Sequence, residues 1–261
     1  MPSAPKIDWT CQHLLPTLHL YTQIPFGQLH ARNTKIKQLA RWLGRTPNSV
    51  AMKLTNLSSI DPIVAARGLS GLKGTSKLDR KVWAEFHATW DAMSKEAADE
   101  YGRLAATNGE TLIEETAQET LGIQEGKTRL ASIEVRVNQW KFRKAILANY
   151  EARCCISGLT NELLLNASHI EPWSRDVKNR MNHQNGLCLS VLHDRAYDIG
   201  LITVMPDFKV RVSKKLQLRS DDVFMKQSLL QFNNKKIFMP VRYGPDPAFL
   251  ESHARRFGFI D

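Results

Sequence analysis

The sequence predicts an α+β protein of two modules, an N-terminal helical one and a C-terminal one of short strands and a helix. Three observations lead there: apolar residues at helical spacing in the first third, short apolar runs between turn signals from residue 153 to 203, and charge that segregates along the chain. At 261 residues, 43% apolar and 24% charged, the balance is globular. No apolar run approaches the roughly 18 residues of a membrane span. Met1 to Trp9 has no basic stretch followed by an apolar block, so no membrane partner and a cytoplasmic location are expected. The four cysteines Cys11, Cys154, Cys155 and Cys188 are too few for a disulfide framework, and reduced thiols are expected.

The formal net charge is +10, which favours a polyanionic partner. Residues 1–90 hold 12 basic and 4 acidic side chains, 91–125 hold 2 and 9, and 126–153 hold 7 and 2. Residues 154–200 are nearly neutral with 4 and 5, and 201–261 return to 11 and 6. Such segregation points to two separate modules that each meet phosphate.

From Asn33 the apolar positions Ile36, Leu39, Ala40 and Leu43 fall on one helical face, and Gly44 closes the run. Thr46-Pro47 restarts a helix with a capping residue and a proline at its first position, and Val50, Leu54 and Leu57 line its face. Two helices joined by a tight Gly-Arg-Thr turn read as a helix-turn-helix. The second is expected to present Asn48, Ser49, Met52, Lys53 and Asn56 outward to DNA phosphates and base edges, with an ordinary helical hairpin as the bland alternative. Residues 1–92 are thus read as a basic DNA-binding module. Residues 93–130 are read as an acidic helical connector with no chemistry, and 131–261 as the second domain. A helix through Val137, Trp140, Phe142, Ile146 and Tyr150 leads into that domain, its basic residues Arg136, Lys141, Arg143 and Lys144 placed to lie along a phosphate backbone.

The informative stretch runs from Arg153 to Thr203. An apolar run at 163–170 delivers His169 at its polar end, and a loop containing Pro172 follows. Leu187 to Leu189 make a short strand, and Val191 to Tyr197 form a helix closed by Gly200. Two strands and a helix bring His169, Asn185 and the His193-Asp194 pair together.

These residues resemble the HNH nucleases, in the subgroup with "His-Ile-x-Pro-Trp" around the first histidine and "Asn-Gly-Leu … Asp-x-Ala-aromatic-Asp-x-Gly" at the end. The resemblance covers about residues 135–257. It implies a ββα-metal fold and phosphodiester cleavage with a divalent metal, Mg²⁺ in the expected case and Mn²⁺ or another divalent ion as the variant. The chemistry needs a deprotonated water and positive charge at the phosphate, so His169 is read as the general base. Asn185 is read as fixing the backbone behind it. The family register puts the metal-ligand position on Asp194, while His193 stands one residue earlier. Neighbouring helical residues diverge by about 100°, so both cannot face one metal. Asp194 is favoured because a carboxylate suits a hard cation, leaving His193 to contact the scissile phosphate or to pack. Asp198 shares the Asp194 face and either reaches the metal or fixes the turn at Gly200.

Two departures stand out. Ser168 occupies the place where many HNH sites carry a metal-ligating Asp, and Cys154 is followed at Ser157 by serine where zinc-bearing members have a second cysteine. No structural zinc is expected, and Cys154, Cys155 and Cys188 are read as small buried residues. The expected function is a metal-dependent endonuclease of DNA, double-stranded in the favoured case, in a restriction or phage-defence setting by analogy. The alternatives are a DNA-binding protein with a weak or inactive site, motivated by Ser168, and a nuclease of RNA or structured DNA. A homodimer is left open.

Overall fold

The computed structural model describes residues 8–62, 64, 74–110, 127–217 and 222–261, with side chains in the segment opening at 127 described from residue 138 onward. The fold is α+β and divides into two compact units, Met1–Glu115 and Thr116–Asp261.

The first unit is helical: α1 (Cys11–Gln23), α2 (Thr34–Trp42), α3 (Pro47–Ser59), α4 (Lys77–Ala88) and α5 (Trp90–Thr107). Local chemistry sets the ends of α2 and α3. Asn33 Oδ1 accepts the Lys35 and Ile36 amides at 2.9 and 3.4 Å, and Thr46 Oγ1 accepts the Ser49 amide at 3.2 Å. Gly44 turns between the helices at φ +63°, a conformation that costs a side-chain-bearing residue. Ile36, Leu39, Val50, Leu54 and Leu57 are buried between α2, α3 and their neighbours.

Two expectations are corrected here. Residues from 93 onward are not a connector as far as Thr107: α5 buries Ala97, Ala98, Tyr101 and Ala105, and the Tyr101 ring packs against His19 and Trp42 at 4.9 and 5.1 Å. The helix has an acidic outer face and an apolar inner one, so its charge described only the solvent side. The later acidic residues, 111–126, lie outside the described residues. The second correction concerns α3. Lys53 is buried and its Nζ meets both oxygens of the buried Asp79 at 2.9 and 3.0 Å, while Asn56 is buried and donates from Nδ2 to the Gly74 carbonyl at 3.3 Å. Neither faces outward. Asn48 and Met52 are exposed and Ser49 is half-buried.

The second unit opens with α6 (Lys127–Asn149) and continues through β1 (Leu165–His169), β2 (Gly186–Ser190), α7 (Val191–Asp198), β3 (Ile202–Val204), β4 (Val210–Val212), α8 (Lys214–Gln217), α9 (Val223–Ser228) and α10 (Pro247–Arg256). β1 and β2 are antiparallel, with Leu165 opposite Ser190 and His169 opposite Gly186. β3 and β4 form a second antiparallel pair. Phe142 and Ile146 of α6 and Tyr150 just after it join Leu165, Leu187, Leu189, Tyr197 and Ile202 in one core. Gly186 is the point of closest approach, since a Cβ there would stand 2.4 Å from Ile146 Cδ1 and 2.8 Å from Phe142 Cζ. Ser190 caps α7 by accepting the His193 amide at 3.3 Å. The order strand, strand, helix therefore rests on a buried hairpin pinned by α6 on one side and capped into α7 on the other.

Candidate functional site

His169 ends β1, and its ring lies parallel to Phe142 of α6 at 3.8 Å and edge-on to Trp173 at 5.4 Å. Its Nε2 is 2.9 Å from the Arg180 carbonyl oxygen. A carbonyl only accepts, so Nε2 carries the proton and Nδ1 keeps the lone pair. Burial pushes the imidazole below its ordinary pKa; the carbonyl hydrogen bond acts the other way, and the charge of Arg180 again lowers it. The ring is neutral at neutral pH.

The loop between the strands is held from beneath by Asn185, which is fully buried. Its Oδ1 accepts the Glu171 amide at 2.7 Å, and its Nδ2 donates to the carbonyls of Glu171 at 3.2 Å and Asn179 at 3.3 Å. The Asn185 carbonyl also accepts the Ile170 amide at 3.0 Å. One side chain thus fixes the backbone that follows His169. Arg180 closes the loop by donating from Nε to the Trp173 carbonyl at 2.9 Å and stacking over that indole at 5.0 Å.

His169, Asp194 and Asp198 line one hollow of about 490 Å³, together with Ser168, Trp173, Arg175, Arg256 and Phe257. The two aspartates are four residues apart on α7 and so share a face. Asn166 donates from Nδ2 to Asp194 Oδ2 at 2.7 Å. Asp198 is pushed up from the usual carboxylate range by burial and then by the charge of Asp194. A cation beside this pair of carboxylates would offset the cost of ionising Asp198. Ser168 Oγ is buried in the same wall with no hydrogen-bond partner among the described residues. Those residues contain no group of three or more His, Cys, Asp or Glu side chains gathered to hold a metal ion. Asp194 and Asp198 are the carboxylates that line this hollow, and such oxygen donors suit a hard divalent ion.

His193 does not reach this hollow. Its Nδ1 is 2.6 Å from Ser190 Oγ and its Nε2 2.9 Å from the Ser228 carbonyl, and the residue is buried. The expectation that it serves at the site is corrected: one step along α7 turns it into the interior, where packing takes it. Cys154, Cys155 and Cys188 are buried thiols and Cys11 is exposed.

Among the basic residues of α6, the Arg136 side chain lies outside the described residues. Arg143 is corrected from a phosphate-facing residue to a structural one, because its guanidinium donates to the carbonyls of Leu165 and Glu162, tying α6 to the start of β1. Lys144 lies over the Trp140 ring at 4.5 Å. Sequence reading missed Arg256, which comes from α10 and brings a cation to the site. Its Nη2 donates to the Ile170 carbonyl at 3.1 Å and its Nη1 is 3.5 Å from Glu171 Oε2. No local pattern announces it, since it lies 87 residues beyond His169.

β1, β2 and α7 thus form an antiparallel hairpin followed by a helix, with His169 at the end of the first strand and Asp194 and Asp198 on the helix. Residues 154–205 match the family described as HNH endonuclease. No curated protein matches the chain. This stretch of the C-terminal unit is thus similar to HNH endonucleases, a likeness that suggests nuclease activity; HNH nucleases act on nucleic acid and generally use a divalent metal. Among the described residues no helix is long and apolar enough to cross a membrane.

Proposed function

We propose that the protein is a metal-dependent endonuclease of double-stranded DNA, with His169 as general base. The observation that carries this reading is the shared hollow of His169, Asp194 and Asp198, with the His169 proton held on Nε2 by the Arg180 carbonyl. Nδ1 accepts a proton from water, the oxygen attacks phosphorus, and the bond to one bridging oxygen breaks. Asn185 keeps the base in place by holding the loop behind it. Asp194, oriented by Asn166, and Asp198 would hold the divalent ion, Mg²⁺ in the first instance. When bound, it neutralises charge at the phosphate and its leaving oxygen. Arg175 and Arg256 add positive charge on the same wall.

The N-terminal unit is proposed to bind duplex DNA. Asn48 and Ser49 remain candidates at the start of α3, while Lys53 and Asn56 give way to the exposed cations Lys37 and Arg41, one turn apart on α2. A restriction or phage-defence setting in the cytoplasm accords with a basic binding unit beside a nuclease. The test is digestion of duplex DNA, single-stranded DNA and RNA, each with and without Mg²⁺, by the full chain and by His169→Ala. Mg²⁺-dependent cutting of duplex DNA that disappears in His169→Ala supports the reading; equal cutting by both proteins ends it.

A further inference from the structure

A second hollow, of about 610 Å³, lies beside the candidate site between β4, α8 and the segment after α10. We propose that it holds the sugar-phosphate backbone of the substrate strand where that strand runs on from the scissile phosphate. This rests on the nuclease reading. The Phe257 ring lines both hollows, and Ile199 and Gly200, in the wall of the second, follow directly on Asp198 in the wall of the first. A strand seated at Asp198 would enter the second hollow by crossing Phe257. Along that path stand Arg211, Lys214 and Lys215, against one carboxylate side chain, Asp261. Among the described residues no ion pair engages the three cations, and Asp207, whose carboxylate Arg211 influences, is bridged at 2.8 Å by Lys209. Ser213 Oγ is buried in the wall with no hydrogen-bond partner among the described residues. Phe257, Phe259 and Ile260 supply an apolar floor for sugars and bases. Cations over an apolar floor, next to the proposed cleavage site, fit a polynucleotide better than an isolated anion.

The test compares the full-length chain with the variant carrying Arg211→Gln, Lys214→Gln and Lys215→Gln, and with a control carrying Lys235→Gln and Lys236→Gln. Binding of a fluorescein-labelled duplex of about three helical turns is titrated against salt, cleavage of the same duplex is followed with Mg²⁺, and thermal unfolding checks the fold. The expected result for the triple variant is a salt slope shallower by about 2–3 units and a KM raised at unchanged kcat. The control changes neither by as much. A triple variant with wild-type slope and KM overturns the proposal, and so does a control that matches the triple variant. Cutting by the parent chain is scored separately: its absence with the slope change present removes the nuclease reading and leaves the binding hollow, whereas cutting with no slope change removes only the hollow.

Discussion

Asn166 Nδ2 stands 2.7 Å from Asp194 Oδ2, so a side chain of the first strand fixes the carboxylate of the helix that closes the unit. The bond is charge-assisted and selects one Asp194 rotamer before any ion arrives. Partners of this kind, one step behind a ligand, change metal affinity about 10–100-fold when removed. Asn166→Ala is therefore expected to raise the Mg²⁺ concentration for half-maximal cleavage by about that factor, with a smaller change at saturating Mg²⁺. Cleavage rates across a Mg²⁺ series check it. An unchanged midpoint would mean that Asp194 is not the ligand.

Asn166 also marks the limit of what the sequence discloses. Helix ends around Asn33, Gly44 and Thr46-Pro47 were legible because capping is decided within four residues. The strand, loop and helix carrying His169, Asn185 and Asp194 were legible because their spacing is local. The inward turn of Lys53 was not, because its cause, Asp79, lies 26 residues away and on another helix. Arg256 and the Asn166–Asp194 contact depend on how α10 and β1 meet α7, which no periodicity encodes. The start of α10 itself could have been read, since Asp246 accepts the Ala248 amide at 2.8 Å and Pro247 follows it, the same cap-and-proline signal that opened α3.

His169→Ala is expected to lower the cleavage rate by at least about 10²–10⁴-fold while leaving duplex binding near that of the parent chain. The pH profile carries separate information. Because burial holds His169 below its ordinary value of 6.5, the unprotonated base persists to lower pH, and the acid limb of the rate should have its midpoint below 6.5. Single-turnover rates with Mg²⁺ saturating at each pH measure it. A limb centred above 6.5 would assign the titration to another group.

The Lys53–Asp79 pair predicts a stability effect where the sequence suggested a binding one. Both side chains are buried, and Asp79 also accepts the Ser76 amide at 2.8 Å at the start of α4. Lys53→Ala leaves a buried carboxylate without its cation and should cost about 3–5 kcal/mol. Lys53→Met with Asp79→Asn removes both charges, keeps an acceptor for the cap, and should lose clearly less. Thermal or urea unfolding of the three proteins measures the difference. Loss of DNA affinity in Lys53→Ala at unchanged stability would return this residue to the binding surface.

His253 on α10 gives the last prediction. Its ring is stacked on Tyr197 at 3.7 Å, Nδ1 lies 2.8 Å from Thr203 Oγ1, and the residue is almost wholly buried. Burial, and then the charge of Arg256, push its pKa down to about 3 against an ordinary 6.5. The unfolded chain therefore binds a proton between those values that the folded chain refuses. The stability contribution is whole above pH 6.5 and declines as pH falls toward 3, by at most about 1.4 kcal/mol per pH unit. His253→Phe keeps the stack, cannot titrate, and takes from the buried Thr203 hydroxyl its nearer partner, leaving the Val204 carbonyl at 3.5 Å, at about 1–3 kcal/mol. At pH 8 the variant should be less stable than the parent chain, and at pH 5 the gap should narrow by about 2 kcal/mol. Urea unfolding at the two pH values measures both gaps. Parallel losses of stability would show that His253 is protonated in the folded chain as readily as in the unfolded one, against its burial between Tyr197 and Thr203.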